Sequence, residues 1–193
     1  MPEQPDDKML RLELARQIAH EAGQLTLRYF RAPGVAVERK SDDSPVTIAD
    51  REAEQLLRRR IAERFGEDGV LGEEFPEKEG TSPYRWILDP IDGTKSFVSG
   101  VPLYGTLVAV TQDGKPLIGV INIPALGESV YAASGAGAWY LWGDRPPCPA
   151  QVSTTKKLAD SLFCTSEVPS FAVRNRQHGH NQGRFPLPPI PLV

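Results

Sequence analysis

The run Trp86-Ile87-Leu88-Asp89-Pro90-Ile91-Asp92-Gly93-Thr94 carries the densest chemistry in the chain. Its three leading apolar residues predict a buried strand. Asp89 stands where that strand emerges, and Pro90, which has no N–H to donate, is expected to end the ladder. Asp92 falls in the turn that follows, and Gly93-Thr94 open a short helical segment. Two carboxylates three residues apart across a proline-fixed turn can aim at one point, with the Ile91 carbonyl between them. An all-oxygen set of this kind suits a hard cation such as Mg²⁺. The amides of Gly93 and Thr94, at a helix start, suit a phosphate oxygen. An isolated Asp-Gly is ordinary turn chemistry. The apolar strand ahead of this one, the second acid and the following Thr set it apart.

Two further acidic elements precede it. Leu71-Gly72-Glu73-Glu74 closes a short apolar run, and Thr47-Ile48-Ala49-Asp50 reads as a helix N-cap, which by itself accounts for Asp50. Singly, each is a solvated loop or a cap. In the order Thr-x-x-Asp, Gly-Glu-Glu, Asp-Pro-Ile-Asp-Gly-Thr they point to one site. The sequence offers no covalent nucleophile: His20 lies within the first helix, His178 and His180 lie near the C-terminus, and neither Cys148 nor Cys164 has a His partner nearby.

Charge frames that chemistry. The chain has 193 residues, with 22 Lys and Arg against 25 Asp and Glu and a net charge of −3, so there is no basic footprint for nucleic acid or an anionic membrane. No acid follows Glu167, while Arg174, Arg176 and Arg184 do, which leaves the preceding body distinctly acidic. An acidic body that holds a phosphate ester needs cations, which again points to a metal. Two cysteines cannot build a disulfide framework or a cysteine zinc site. An acidic, amphipathic N-terminus is unlike a signal peptide, and the uncharged stretch Ser96 to Gln112 is broken by Gly100, Pro102 and Gly105. A cytoplasmic location is the expectation.

The elements that must position these residues follow from periodicity. Leu10, Leu14, Ile18, Ala22, Leu25 and Tyr29 recur at helical spacing and predict a first helix of about 24 residues from Asp7, stopped by Pro33-Gly34. A short strand is expected at Val35 and Val37, then a polar loop from Lys40 to Pro45. A second helix starts at the Thr47 to Asp50 capping box, turns Ala53, Leu56, Leu57 and Ile61 inward, and is capped by Gly66. Strands follow at Val70 to Leu71, Tyr84 to Leu88 and Gly105 to Thr111, then Pro116 to Ile123, Ser129 to Ala133 and Ala138 to Trp142. Asp113-Gly114 between two apolar runs signals a hairpin. Two helices and then an antiparallel meander make an α+β layered domain, not a βαβ repeat.

The ordered acidic motifs resemble the inositol monophosphatase family of Mg²⁺-dependent, lithium-sensitive phosphatases, over roughly residues 8 to 167. The resemblance implies a layered α/β sugar-phosphatase-like fold with a helix pair on a largely antiparallel sheet. It also implies two or three Mg²⁺ ions in the intact family, inhibition by Li⁺, and a small phosphorylated metabolite as substrate. Position by position, Glu73, Asp89 and the Ile91 carbonyl would hold one metal, and Asp92 would share a second with Asp89. Thr94 with Asp50 would orient the attacking water, making Asp50, Glu73 and Thr94 the catalytic set. Gly93, Thr94 and Lys40 would meet the phosphate. In-line hydrolysis of a phosphate monoester, without a phosphoenzyme, is the implied reaction, and a homodimer the implied assembly. Asp92-Gly93-Thr94-Lys95-Ser96-Phe97, Gly100-Val101-Pro102 and Tyr104-Gly105-Thr106-Leu107 are closer to the histidinol-phosphatase branch, which serves histidine biosynthesis. An inositol-1-phosphatase, a 3′-phosphonucleotide phosphatase, or an inactive interaction module are the alternatives.

One family element is not found. Members continue through a second α/β layer with a Trp-Asp motif that ligates the second metal; Trp139-Tyr140 and Trp142-Gly143-Asp144 are the nearest matches, and both fall in a predicted hairpin. The expected organisation is a metal-binding domain at 1–145, the start of a second layer at 146–170, with a strand at Ser161 to Thr165, and a Pro-rich segment at 171–193. With four prolines in its last eight residues, that segment is expected to be disordered, polyproline II or non-native. The expectation is therefore a C-terminally incomplete phosphatase with reduced or absent activity and a tendency to aggregate through strand edges.

Overall fold

The computed structural model describes residues 5–33, 37–39 and 45–162. Helix α1 (Pro5–Leu27) turns Leu12, Leu14, Ala15, Ile18, Ala19 and Ala22 inward. Leu10, the expected first member of the stripe, is 38% exposed. Its neighbour Arg11 takes the buried position instead, its guanidinium doubly bonded to the Asp68 carboxylate at 3.0 Å through Nε and Nη2. The helix stops at Leu27, ahead of Pro33. Arg31 then adopts a left-handed φ of 59° and donates to the Gly100 carbonyl at 2.9 and 2.7 Å.

Strand β1 (Val37–Arg39) pairs antiparallel with β2 (Pro45–Thr47); the expected Val35 lies outside the described residues. Helix α2 (Ile48–Arg64) begins with the predicted capping box: Thr47 Oγ1 accepts the Ala49 N–H, and Asp50 Oδ2 accepts the Thr47 N–H at 2.8 Å. Its C-cap is Phe65, not Gly66. The Phe65 ring is wanted in the core, where it packs 6.0 Å from Trp86 and under the Arg11 guanidinium at 4.2 Å.

Seven strands follow in one sheet, in sequence order: β3 (Gly69–Leu71), β4 (Tyr84–Asp92), β5 (Gly105–Gln112), β6 (Lys115–Ile123), β7 (Glu128–Ala133), β8 (Gly137–Trp142) and β9 (Cys148–Pro149). From β4 onward neighbours are antiparallel, as the meander requires; β3 lies parallel to β4. Asp113 at φ 49° and Gly114 at φ 76° form the predicted β5–β6 turn, with positive φ at both central residues. The fold is α+β, and α1 and α2 cover one sheet face.

That face is built by alternation: Trp86 and Leu88 of β4, Val108 and Val110 of β5, and Ile118 and Val120 of β6 bury against the helices. The helix–sheet approach is close enough to exclude a side chain. A Cβ on Gly23 would fall 2.3 Å from Asn122 Nδ2, which donates to the Ala19 carbonyl at 3.1 Å. On the opposite face Ile87, Leu107, Ala109 and Ile121 line a shallow apolar depression of about 290 Å³, with Asp89 at its edge. No described helix is long and apolar enough to cross a membrane.

The chain divides after Ser153 into two units. The first contains the sheet, and β9 closes its edge. Described residues 154–162 of the second are exposed and hold a single 3-10 turn at Leu158–Asp160. Ser161 and Leu162 are not in a strand; the remainder of the strand expected there and the Pro-rich segment lie outside the described residues.

Candidate active site

Pro90 does not end β4. The strand continues to Asp92, which pairs with Gly105, and the register shifts between Asp89 and Asp92. A bulge absorbs the missing donor, and the buried Thr106 hydroxyl donates to the Pro90 carbonyl at 2.9 Å, fixing the distortion. Gly93 follows as the N-cap of α3 (Thr94–Val98) with φ 82°, and a Cβ there would meet the Leu103 carbonyl at 3.3 Å. Beneath the turn lies a second small core of Ala49, Ile91, Phe97 and Tyr104. Phe97 and Tyr104 meet edge-on at 4.9 Å, and Phe30 lies 5.2 Å from Tyr104. Burial pushes the Tyr104 phenol above its usual range, and the hydroxyl pairs with Thr26 Oγ1 at 3.3 Å. An aromatic floor thus fixes the turn that carries Asp89 and Asp92.

The acids expected to work together are near one another. Asp89 is raised to about 7, first by burial, then by the charge of Glu73 and of Asp92, by a hydrogen bond to the Glu73 carboxyl, and by the charge of Asp50. A carboxyl in hydrogen bond contact with a second one is harder to ionise, which is why Asp89 holds its proton well above the ordinary carboxylate range. The other Asp89 oxygen, Oδ1, is buried with no hydrogen bond partner. A buried, unsatisfied carboxylate oxygen is costly, and it is the feature here that most plainly asks for a cation.

The remaining expected residues fall into three groups. Asp50 is 3% exposed and accepts the Thr47 N–H and hydroxyl at 2.8 and 2.6 Å, so it caps α2 while lying in the electrostatic reach of Asp89. The Thr94 hydroxyl donates to the Ile91 carbonyl at 3.1 Å; the expected water-orienting group and the expected carbonyl ligand are bonded to each other. Lys40 lies outside the described residues. As placed, no group of three acidic, histidine or cysteine side chains among the described residues is gathered closely enough to grip an ion. The donors nonetheless fit Mg²⁺ in kind: they are all oxygens, and Asp89 Oδ1 is unpartnered. Trp142, Gly143 and Asp144 sit at the end of β8, four strand spacings or ~19 Å across the sheet from β4.

Sequence reasoning missed Glu54 and Arg58. Glu54 is fully buried on α2, accepts the amides of Glu73 and Glu74 at 2.9 and 2.7 Å, and pairs with Arg58 at 2.8 Å. The available signal was a charged residue between Ala53 and Leu57 on the inward face, with an Arg four residues on.

Comparison with known proteins bears on the same region. A family model described as the inositol monophosphatase family matches residues 7–185. A histidinol-phosphatase of Chlorobaculum parvum is 52% identical over 156 residues, which is 81% of this chain and 58% of that protein. A histidinol-phosphatase of Mycobacterium tuberculosis is 39% identical over 167 residues, 86% of this chain and 63% of the relative. The crystal structure of the extragenic suppressor protein suhB from Bartonella henselae superposes with a TM-score of 0.70 at 31% identity, covering 77% of this chain and 57% of that one. The chain therefore spans about three fifths of the length of the curated relatives it matches.

Proposed function

Because this chain belongs to the inositol monophosphatase family, we propose that it is a Mg²⁺-dependent phosphate monoester hydrolase, with histidinol phosphate as its substrate. The observation that carries this reading is Asp89. It is a carboxyl raised to about 7 by burial and by Glu73, with Asp92 and Asp50 around it and one oxygen left unsatisfied. Glu73, Asp89, the Ile91 carbonyl and Asp92 would hold the metal. The chemistry that a bound Mg²⁺ supplies is charge neutralisation at phosphoryl oxygens and acidification of water.

The chain's own residues do the rest. Asp89 would bind the cation as its carboxylate, releasing to solvent the proton it keeps to about pH 7. Asp50, held in one rotamer by Thr47, presents a fixed carboxylate that can accept a proton from water. The Thr94 hydroxyl, released from the Ile91 carbonyl, can orient that water. The amides of Gly93 and Thr94 and the Lys40 side chain would meet the phosphate. Positioning and charge dominate such a reaction, which is why no nucleophilic side chain is needed. Histidinol phosphate is favoured over other esters by the 52% and 39% identities to histidinol-phosphatases and by the Lys95-Ser96-Phe97 sequence after the Gly-Thr turn.

The test is phosphate release by the purified chain with Mg²⁺ from histidinol phosphate, inositol 1-phosphate and a 3′-phosphonucleotide. The expected result is highest kcat/KM for histidinol phosphate and inhibition by Li⁺. Preference for either other ester overturns the substrate. Absence of turnover together with absence of Asp89-dependent Mg²⁺ binding points to an interaction module instead.

A further inference from the structure

Glu54 is an anomaly for stability alone. A carboxylate without solvent exposure, flanked on its helix by buried Ala53 and Leu57, occupies a position where an apolar residue would cost less. Its bonds all lead to one place. Oε2 accepts the N–H of Glu73 and of Glu74, and Oε1 accepts Arg58 Nε. Arg58 Nη2 donates to the Phe75 carbonyl at 3.1 Å, a third grip on the same loop. Gly72 completes the fit, since a Cβ there would lie 2.0 Å from Glu54 Oε1.

We propose that Glu54, with Arg58 and Gly72, is a positioning clamp that aims Glu73 at Asp89 and so sets the affinity of the site for a divalent cation. Charge-assisted bonds to consecutive amides are short and directional. They fix the peptide planes on both sides of the Glu73 Cα, and with them the direction of its side chain. The clamp holds a contact that a free loop would lose: the Glu73 carboxyl is hydrogen bonded to Asp89, with Asp92 and Asp50 close by. Arg58 balances the Glu54 charge, so the clamp adds little repulsion to the acids it organises.

The proposal rests on the Mg²⁺ reading, and its test separates the two. On the full chain, Mg²⁺ binding is measured by calorimetry for wild type, Glu54→Gln, Arg58→Lys and Asp89→Asn, together with amide hydrogen exchange over residues 72–75 without metal. Glu54→Gln is expected to weaken Mg²⁺ binding by about 10–100-fold, to speed exchange at the Glu73 and Glu74 amides, and to recover most of kcat at saturating Mg²⁺. Arg58→Lys, which loses the Phe75 bond, is expected to weaken binding by roughly the lower end of that range. A lowered melting temperature with Mg²⁺ affinity within about twofold of wild type would make Glu54 a structural staple and overturn the clamp. Should Glu54→Gln not fold, unchanged affinity and exchange in Arg58→Lys overturn it equally, because that side chain is 19% exposed and replaceable. Binding that is lost in Asp89→Asn but kept in Glu54→Gln sinks the clamp alone. Identical binding by wild type and Asp89→Asn sinks the metal reading and the clamp with it.

Discussion

A carboxyl that keeps its proton to about pH 7 makes the metal-free fold pH-sensitive in a direction opposite to most acids. The folded Asp89 lies above its unfolded value of ~3.9, so between about pH 4 and pH 7 the folded state binds more protons than the unfolded one. Its contribution is therefore present in full at low pH and lost as pH rises toward 7. After discounting for its partial exposure, the loss is roughly 2 kcal/mol. Denaturant midpoints without metal should show this fall between about pH 4 and pH 7 in wild type, levelling off above pH 7, and a smaller fall in Asp89→Asn. Saturating Mg²⁺ should remove the fall in wild type only. The same proton competes with the cation, so Mg²⁺ affinity should climb between pH 6 and pH 8 with a proton released on binding. Calorimetry in buffers of different ionisation enthalpy checks the proton; an affinity flat across that range counts against Asp89 as ligand.

Elements, not single residues, decide where these acids stand, and the start of α2 shows two roles sharing one residue. Thr47→Ala and Asp50→Ala each break the capping box and should each cost about 1 kcal/mol in a thermal melt. Only Asp50→Ala should also cut turnover by about 100-fold or more; equal losses of activity in both would reduce Asp50 to a cap. At α3, Gly93→Ala meets both a φ of 82° and the Leu103 carbonyl, and should cost about 1–2 kcal/mol while distorting the turn from Asp92 to Thr94. A variant with unchanged melting and kcat/KM would show that the turn tolerates a side chain. The capping box, the Asp113-Gly114 turn and the Gly93 N-cap were legible because each is set by residues within four positions. What escaped was non-local. Parallel pairing of β3 with β4 depends on a connection with no periodic signal. The burial of Arg11 depends on Asp68, 57 residues away. The continuation of β4 past Pro90 depends on Thr106 from the next strand.

At the scale of the molecule, Asp68 ties the two helices' end of the sheet together. Its carboxylate takes both Arg11 bonds, Ser82 Oγ at 2.6 Å and Trp86 Nε1 at 2.9 Å, and the Arg11 guanidinium lies over the Tyr84 and Phe65 rings at 3.6 and 4.2 Å. Asp68→Ala would strand a buried guanidinium and an indole N–H, with an expected loss of about 3–5 kcal/mol in denaturant unfolding. The paired change Arg11→Met with Asp68→Leu should recover most of it, and a double variant no more stable than the single one would show that the network, not the stranded charge, matters. The order in which the chain is made separates α1 from its sheet in time. The apolar face of α1 is finished early, yet its partners on β5, β6 and β7 come about 100 residues later, as the Ala19–Asn122 bond records. At a ribosomal rate of roughly 5–20 residues per second, that face waits on the order of 5–20 s for its sheet. Until β6 has been made, the apolar face of α1 lacks the sheet that buries it.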